Sequence, residues 1–147
     1  MRKDDCNLYV KVLASTWAGK HIGPYSFFKY EGWLGSRNEP GPWLPAVKLP
    51  LMMCVRGYHV TNIEDFLMWG SPGSETWIVQ TRGETLSQRY SDKLAAEEMR
   101  FICKVKWAEP ENTYHSRAFC DKYIREARQH AFKILRKEKR DAENAVV

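Results

Sequence analysis

The sequence predicts one α+β domain, a mostly antiparallel sheet of about five strands with a long C-terminal helix packed across one face. Three observations predict it. The chain has 147 residues, close to the modal size of a domain that buries its own core. Up to Pro110 it consists of short β-branched and aromatic stretches punctuated by Gly and Pro. Beyond Pro110 the apolar residues recur at three- and four-residue spacing, the period of a helix with one buried face. Residues 1–147 are therefore read as a single domain.

The first two strands are "LYVKVLAST" at residues 8–16 and "YSFFKY" at 25–30, joined by "WAGKHIGP". Residues 31–50, "EGWLGSRNEPGPWLPAVKLP", contain four Pro and three Gly. Such a run holds neither a regular ladder nor a helix, so it is a long loop, and long loops in compact domains tend to carry function. "LMMCVRGYHV" then reads as a third, buried strand, in which Gly57 marks a bulge or a close backbone approach. In "TNIEDFLMW" Thr61 and Glu64 form a capping box that opens a helix, which ends by "GSPGS". "WIVQTRG" and "MRFICKVKW" complete the strands. Between them "DKLAAEEM" reads as a short helix with Ser91 as its N-cap. The last element is an amphipathic helix over residues 112–140, starting near Asn112 and fraying after Lys139. Phe119, Tyr123, Ala127, Ala131, Ile134 and Leu135 form its apolar side, with Arg125, Arg128, Lys133 and Arg136 largely between them.

Bulk composition narrows the function classes. No segment approaches the roughly 20 apolar residues that cross a bilayer, and the apolar run near the N-terminus is short and broken by Lys11, so a cytoplasmic protein without a membrane partner is expected. Cys6, Cys54, Cys103 and Cys120 are too scattered for a disulfide scaffold and read as packed thiols. Six Trp, seven Tyr and six Phe exceed what such a chain needs, and the excess packs in a core, sits at an interface or stacks on a flat ligand. The net charge is +5, and residues 117–147 hold nine Lys/Arg against five Asp/Glu, so nearly all of it belongs to the C-terminal helix. Glu126, Glu138, Asp141 and Glu143 are interleaved with those cations, the usual pattern of a solvated helix face, and give nucleic-acid binding only weak support.

Among candidate sites, Cys54/His59 and His115/Cys120 form two Cys/His pairs of equal spacing. A gap of five turns two helical side chains about 140° apart and puts them on opposite faces of a strand. Neither a zinc site nor a Cys/His catalytic pair is expected, and no cofactor or catalytic group is assigned. The corner Arg56-Gly57-Tyr58-His59 is the stronger candidate. Gly57 lets a ligand approach the backbone, Arg56 offers a forked donor for phosphate or carboxylate, and His59 donates or accepts near neutral pH. In the long loop, Trp33, Arg37 and Trp43 either stack on a base or sugar ring and meet its phosphate, or plug the open end of the sheet.

The order of marks, "WLP" at Trp43 to Pro45, "MCVRGYHVT" at Met53 to Thr61, "FLMW", "WIVQTRGE", "SDKLAAEEMRFICKVKW" and "SRAFCDKYIREA", resembles a family of small phage and actinobacterial proteins. That family has a Trp-Pro loop, an "LCxxGxH" corner and a C-terminal helix. Cys54, Gly57 and His59 are the matched positions, whereas Met53 and Phe101 depart from the pattern. The resemblance implies a phage or accessory setting, in the host cytoplasm if phage-encoded, and no particular activity. The corner among short strands also looks faintly like ADP-ribosyltransferase folds, without their Arg/Ser/Glu constellation.

The expectation is a small accessory protein that binds a nucleotide-like or other anionic ligand, or a host protein, without turnover. Its ligand-binding residues are Arg56, Gly57, His59, Trp33, Arg37 and Trp43. The alternatives are a nucleotide-acting enzyme of ADP-ribosyltransferase type, with His59 orienting a ribose and Glu75 or Glu84 as the acid, and an interaction protein that blocks a host partner.

Overall fold

The computed structural model describes residues 8–14, 30, 32–36, 38–53, 56–63, 75–87, 93–107 and 117–145. Within them lie β1 (Leu8–Ala14), β2 (Tyr58–Thr61), β3 (Glu75–Ser87), β4 (Lys93–Lys104) and helix α1 (Arg117–Ala145). Every strand pairing is antiparallel, and the order β1-β2-β4-β3 closes on itself as a barrel. The longest seam joins β3 to β4, from Trp77↔Lys104 to Ser87↔Leu94. β1 lies along the first half of β3, and a single pair, Val10↔Thr61, closes the ring against β2.

Among the described residues there are four strands, where about five were expected in the whole chain. The segment at 25–29 lies outside the described residues, and Tyr30 belongs to no strand. The stretch read as a third strand is divided. Met52 and Arg56 exchange two backbone hydrogen bonds across a turn, and β2 starts only at Tyr58. Of the capping-box helix, Thr61 is the last residue of β2, and residues 64–70 lie outside the described residues.

The short helix expected in "DKLAAEEM" is corrected from Lys93 onward, where the chain is β4. Ala95 pairs with His59 on one side and Leu86 on the other, and Ala96 with Tyr58 and Thr85. Both alanines are fully buried. Two satisfied ladders and a tight seam override the helical preference of Ala and Glu, which is worth only tenths of a kcal/mol per residue.

Alternation along the strands makes two cores. Leu8 and Val10 of β1, Ile78 of β3, and Ile102 and Cys103 of β4 face α1, which packs Ile124, Ala127, Ala131 and Ile134 against them. Burying each isoleucine contributes about 1.5–3 kcal/mol. The helix runs to Ala145 rather than fraying after Lys139. Glu138 is anchored to β4 by Arg100, Lys137 reaches Asp141 one turn on at 3.7 Å, and no Gly or Pro interrupts the last turns. The expected start near Asn112 lies outside the described residues. No helix among the described residues is long and apolar enough to cross a membrane.

The other core holds Leu13, Tyr30, Leu44, Val60, Trp77, Val79, Met99 and Phe101. Tyr30 and Trp77 both pack on the Phe101 ring, at centroid separations of 5.3 and 5.7 Å. Its cover is the Trp/Pro loop. β2 leaves β4 at Ala96, and from there the loop takes over the exposed edge. Val47 N donates to Glu97 O at 3.0 Å, Leu44 N to Met99 O at 2.9 Å and Gly41 N to Phe101 O at 2.7 Å. Three loop residues thus span every two strand residues, a mismatch no regular ladder allows, and the prolines at 42 and 45 fall between the donors. The arrangement satisfies an edge that would otherwise pair with another chain. Gly41 allows it, since a Cβ there would collide with Trp33 O.

Candidate binding hollow

Arg56 and Tyr58 are two residues apart and sit on the same side of the chain as it enters β2. Across from them lie Trp33, Leu44, Pro45 and Val47 of the loop. Together with Tyr30 and Gly57 these surround an open hollow of about 360 Å³, within the range of small-molecule sites. Tyr58 Oη donates to Pro45 O at 2.5 Å and ties the two walls together. Burial, with a smaller contribution from the nearby Glu98 carboxylate, raises the Tyr58 hydroxyl above its ordinary pKa, so it stays a neutral donor. Tyr30 is buried at the base, while Trp33 and Tyr58 are half-buried and keep part of their surface accessible.

Arg56 supplies the charge. Its Nη1 donates to Pro50 O at 3.3 Å, a neutral acceptor, and among the described residues no carboxylate pairs with it. A guanidinium in that position retains donors for an incoming anion.

Gly57 has φ +134°, a conformation that side-chain-bearing residues rarely adopt. A Cβ at this position would lie 3.0 Å from Ala95 Cβ and 3.4 Å from Leu51 Cδ2. The glycine therefore lets the chain lie flat on β4, and the approach it permits is of β4's own side chains.

His59 does not line the hollow. Strand alternation turns its ring to the face opposite Tyr58 and Val60, and Lys11 Nζ donates to its backbone carbonyl at 2.6 Å. Burial lowers its pKa below the ordinary value, and the Lys11 and Lys93 ammonium groups add to that, while a hydrogen bond to the Gly57 backbone opposes it. Trp43 is also elsewhere. Arg82 lies 3.9 Å from its ring centroid and Arg100 4.8 Å. Arg100 in turn makes a two-pronged bond to Glu138 of α1 at 2.7 and 2.8 Å, and Arg82 bonds to Glu98 at 2.9 and 3.1 Å. Trp43 is thus a clamp joining loop, barrel and helix. Arg37, Cys54 and His115 lie outside the described residues, as do the side chain of Cys120 and the loop between β3 and β4.

Tyr30 and the aliphatic wall Leu44, Pro45 and Val47 were missed in the sequence, and Tyr58 was named in the corner without a role of its own. The parity of the corner held a signal: counting back from β2, Arg56 and Tyr58 share a face and His59 does not.

The two carboxylates considered for catalysis are remote from this chemistry. Glu75 pairs with Lys104 at 2.8 Å and accepts from Trp77 Nε1 at 3.0 Å. Glu84 lies in the exposed half of β3, its backbone N–H donating to Glu97 at 2.9 Å. Neither lines the hollow. No group of three or more potential metal ligands is present among the described residues. Comparison with known proteins adds no assignment, since no family model, no curated protein and no solved structure matches the chain.

Proposed function

We propose that this protein is a binding domain whose hollow takes a planar ring carrying an anionic group, a nucleotide-like ligand, and releases it unchanged. The observation that carries the reading is the pairing of partly exposed Trp33 and Tyr58 with Arg56, whose guanidinium, among the described residues, is met by a backbone carbonyl and by no carboxylate. Aromatic side chains stack on any flat π-face and contribute about 1–3 kcal/mol per stacked base. A free guanidinium beside them adds a charge-assisted bond to phosphate or carboxylate. The rest of the wall is aliphatic, which suits the edge of a ring. The phage or accessory setting implied by the family resemblance belongs to the same proposal.

Calorimetric titration with adenosine 5′-monophosphate and with adenosine tests it. The nucleotide binds more tightly than the nucleoside, and Arg56→Ala weakens the nucleotide by about 1.5–3 kcal/mol, roughly 10- to 150-fold, while leaving the nucleoside unchanged. Equal affinities for the two ligands, or an Arg56→Ala protein that binds the nucleotide as well as the parent does, would discard the reading.

A further inference from the structure

The C-terminal helix carries a second surface, remote from the hollow in chemistry. In sequence its cations and acids alternate; in the structure they separate. Glu138 is turned to the barrel, where both carboxylate oxygens are held by Arg100, and Asp141 is shared with Lys137. At about 100° per residue, Lys122, Arg125, Lys133, Arg136 and Arg140 fall within about 80° of one another on the side opposite Ile124, Ala127, Ala131 and Ile134. All five are exposed, and among the described residues none has an ion-pair partner. With a rise of about 1.5 Å per residue the row is about 27 Å long. Glu126 and Glu143 stand at its margins and leave the cations in excess.

We propose that this outward stripe of α1 docks on the phosphate backbone of a double-stranded nucleic acid, independently of base sequence. The stripe and a duplex are complementary in charge and shape. A duplex presents, on each strand, a phosphate about every 3.4 Å of helix axis, so a row of guanidinium and ammonium groups of this length meets a dense line of anionic partners. The same face has no chemistry for the other common polyanionic surface. A helix that lies in a bilayer interface needs large apolar side chains to insert, and from Arg136 to Ala145 the only apolar residues are Ala142 and Ala145. It also lacks an aromatic platform for unpaired bases, since the Phe132 ring at its border is covered by Arg128 at 5.4 Å and partly buried against the helix-side core.

Fluorescence anisotropy with a labelled 20-base-pair duplex of arbitrary sequence, at 50 and 200 mM salt, tests the proposal. Three to five neutralised phosphates give a log–log slope of about −2.7 to −4.5, so affinity falls about 40- to 500-fold over that range. The combined variant Arg125→Gln, Lys133→Gln, Arg136→Gln and Arg140→Gln keeps helix-favouring residues at exposed sites. It loses duplex binding at 50 mM salt with an unchanged circular dichroism spectrum, whereas Lys48→Gln, an exposed charge in the loop, retains it. Absence of duplex binding by the parent protein at 50 mM salt would overturn the proposal. So would a loss in Lys48→Gln equal, per charge removed, to that of the combined variant, because binding would then reflect net charge alone. Binding to phosphatidylserine vesicles as tight as to the duplex would overturn it in favour of a membrane surface.

Discussion

Replacing Gly57 by Ala tests the local geometry on which the hollow depends. The residue sits at φ +134°, and an L-residue held in so sparsely populated a region costs about 1–3 kcal/mol. The new methyl would also stand 3.0 Å from Ala95 Cβ, so β2 or β4 must move by a few tenths of an ångström in a seam where Ala95 is already fully buried. We expect a total loss of about 2–3 kcal/mol, which for a domain near 150 residues lowers Tm by roughly 5–10 °C. Urea unfolding at 25 °C measures it, with a reduced midpoint and an unchanged slope. The two contributions separate in a double-mutant cycle with Ala95→Gly. That change makes room for the methyl, so the double variant is less destabilised than the sum of the single ones. If Gly57→Ala unfolds within about 0.5 kcal/mol of the parent, the backbone at residue 57 is not in this conformation and the wall formed by Arg56 and Tyr58 is misplaced.

Three further outcomes follow from the same contacts. Glu138→Ala removes the two-pronged partner of Arg100, whose side chain is 11% exposed against 44% for Glu138; the expected loss is about 1.5–3 kcal/mol, below that for a fully buried pair, and a urea midpoint unaltered by the change would refute the clamp. The His59 pKa is lowered by burial first and by Lys11 and Lys93 next, so the unfolded chain binds the proton more readily and stability falls as pH drops through 6.5 toward the folded-state value; an NMR titration midpoint at or above 6.5 would contradict this. The Cys103 thiol is buried, donates to Ala127 O at 3.1 Å, and is pushed up to about 12 by that burial despite the opposing charge of Lys106; it should resist an aromatic disulfide reagent at pH 8 until the protein unfolds, and rapid labelling of Cys103 in the native state would show that α1 does not seal it.

How much of this was legible in the sequence depends on whether local pattern or long-range pairing decided the outcome. The helix was legible because Tyr123, Ala127, Ala131, Ile134 and Leu135 repeat at its own period; Ile124, not named from the sequence, buries with Ala127, Ala131 and Ile134, while Tyr123 and Leu135 are only partly buried. The first strand and the cores of the third and fourth strands were legible because β-branched and aromatic residues alternate there. The barrel was not, since closure rests on one pair, Val10↔Thr61, between residues far apart in the chain. β4 was read as part helix because its first residues are helix formers held extended only by neighbours on both sides. The corner at Arg56 and Gly57 was visible as an anomaly, but its partner wall depends on three hydrogen bonds from the Pro-rich loop to carbonyls of β4, which no local pattern encodes. The same register sends Trp33 to the hollow and Trp43 to the two arginines on the other side, a division that their shared Trp-Pro context conceals.

The most direct measurement of the central claim is a ¹H–¹⁵N titration of the labelled protein with adenosine 5′-monophosphate. The account predicts that the Trp33 indole N–H and the backbone amides of Arg56 and Tyr58 shift with a common saturation curve, while the Trp43 indole and His59 ring stay in place. Shifts centred on Trp43 or His59 with Trp33 unmoved would contradict it.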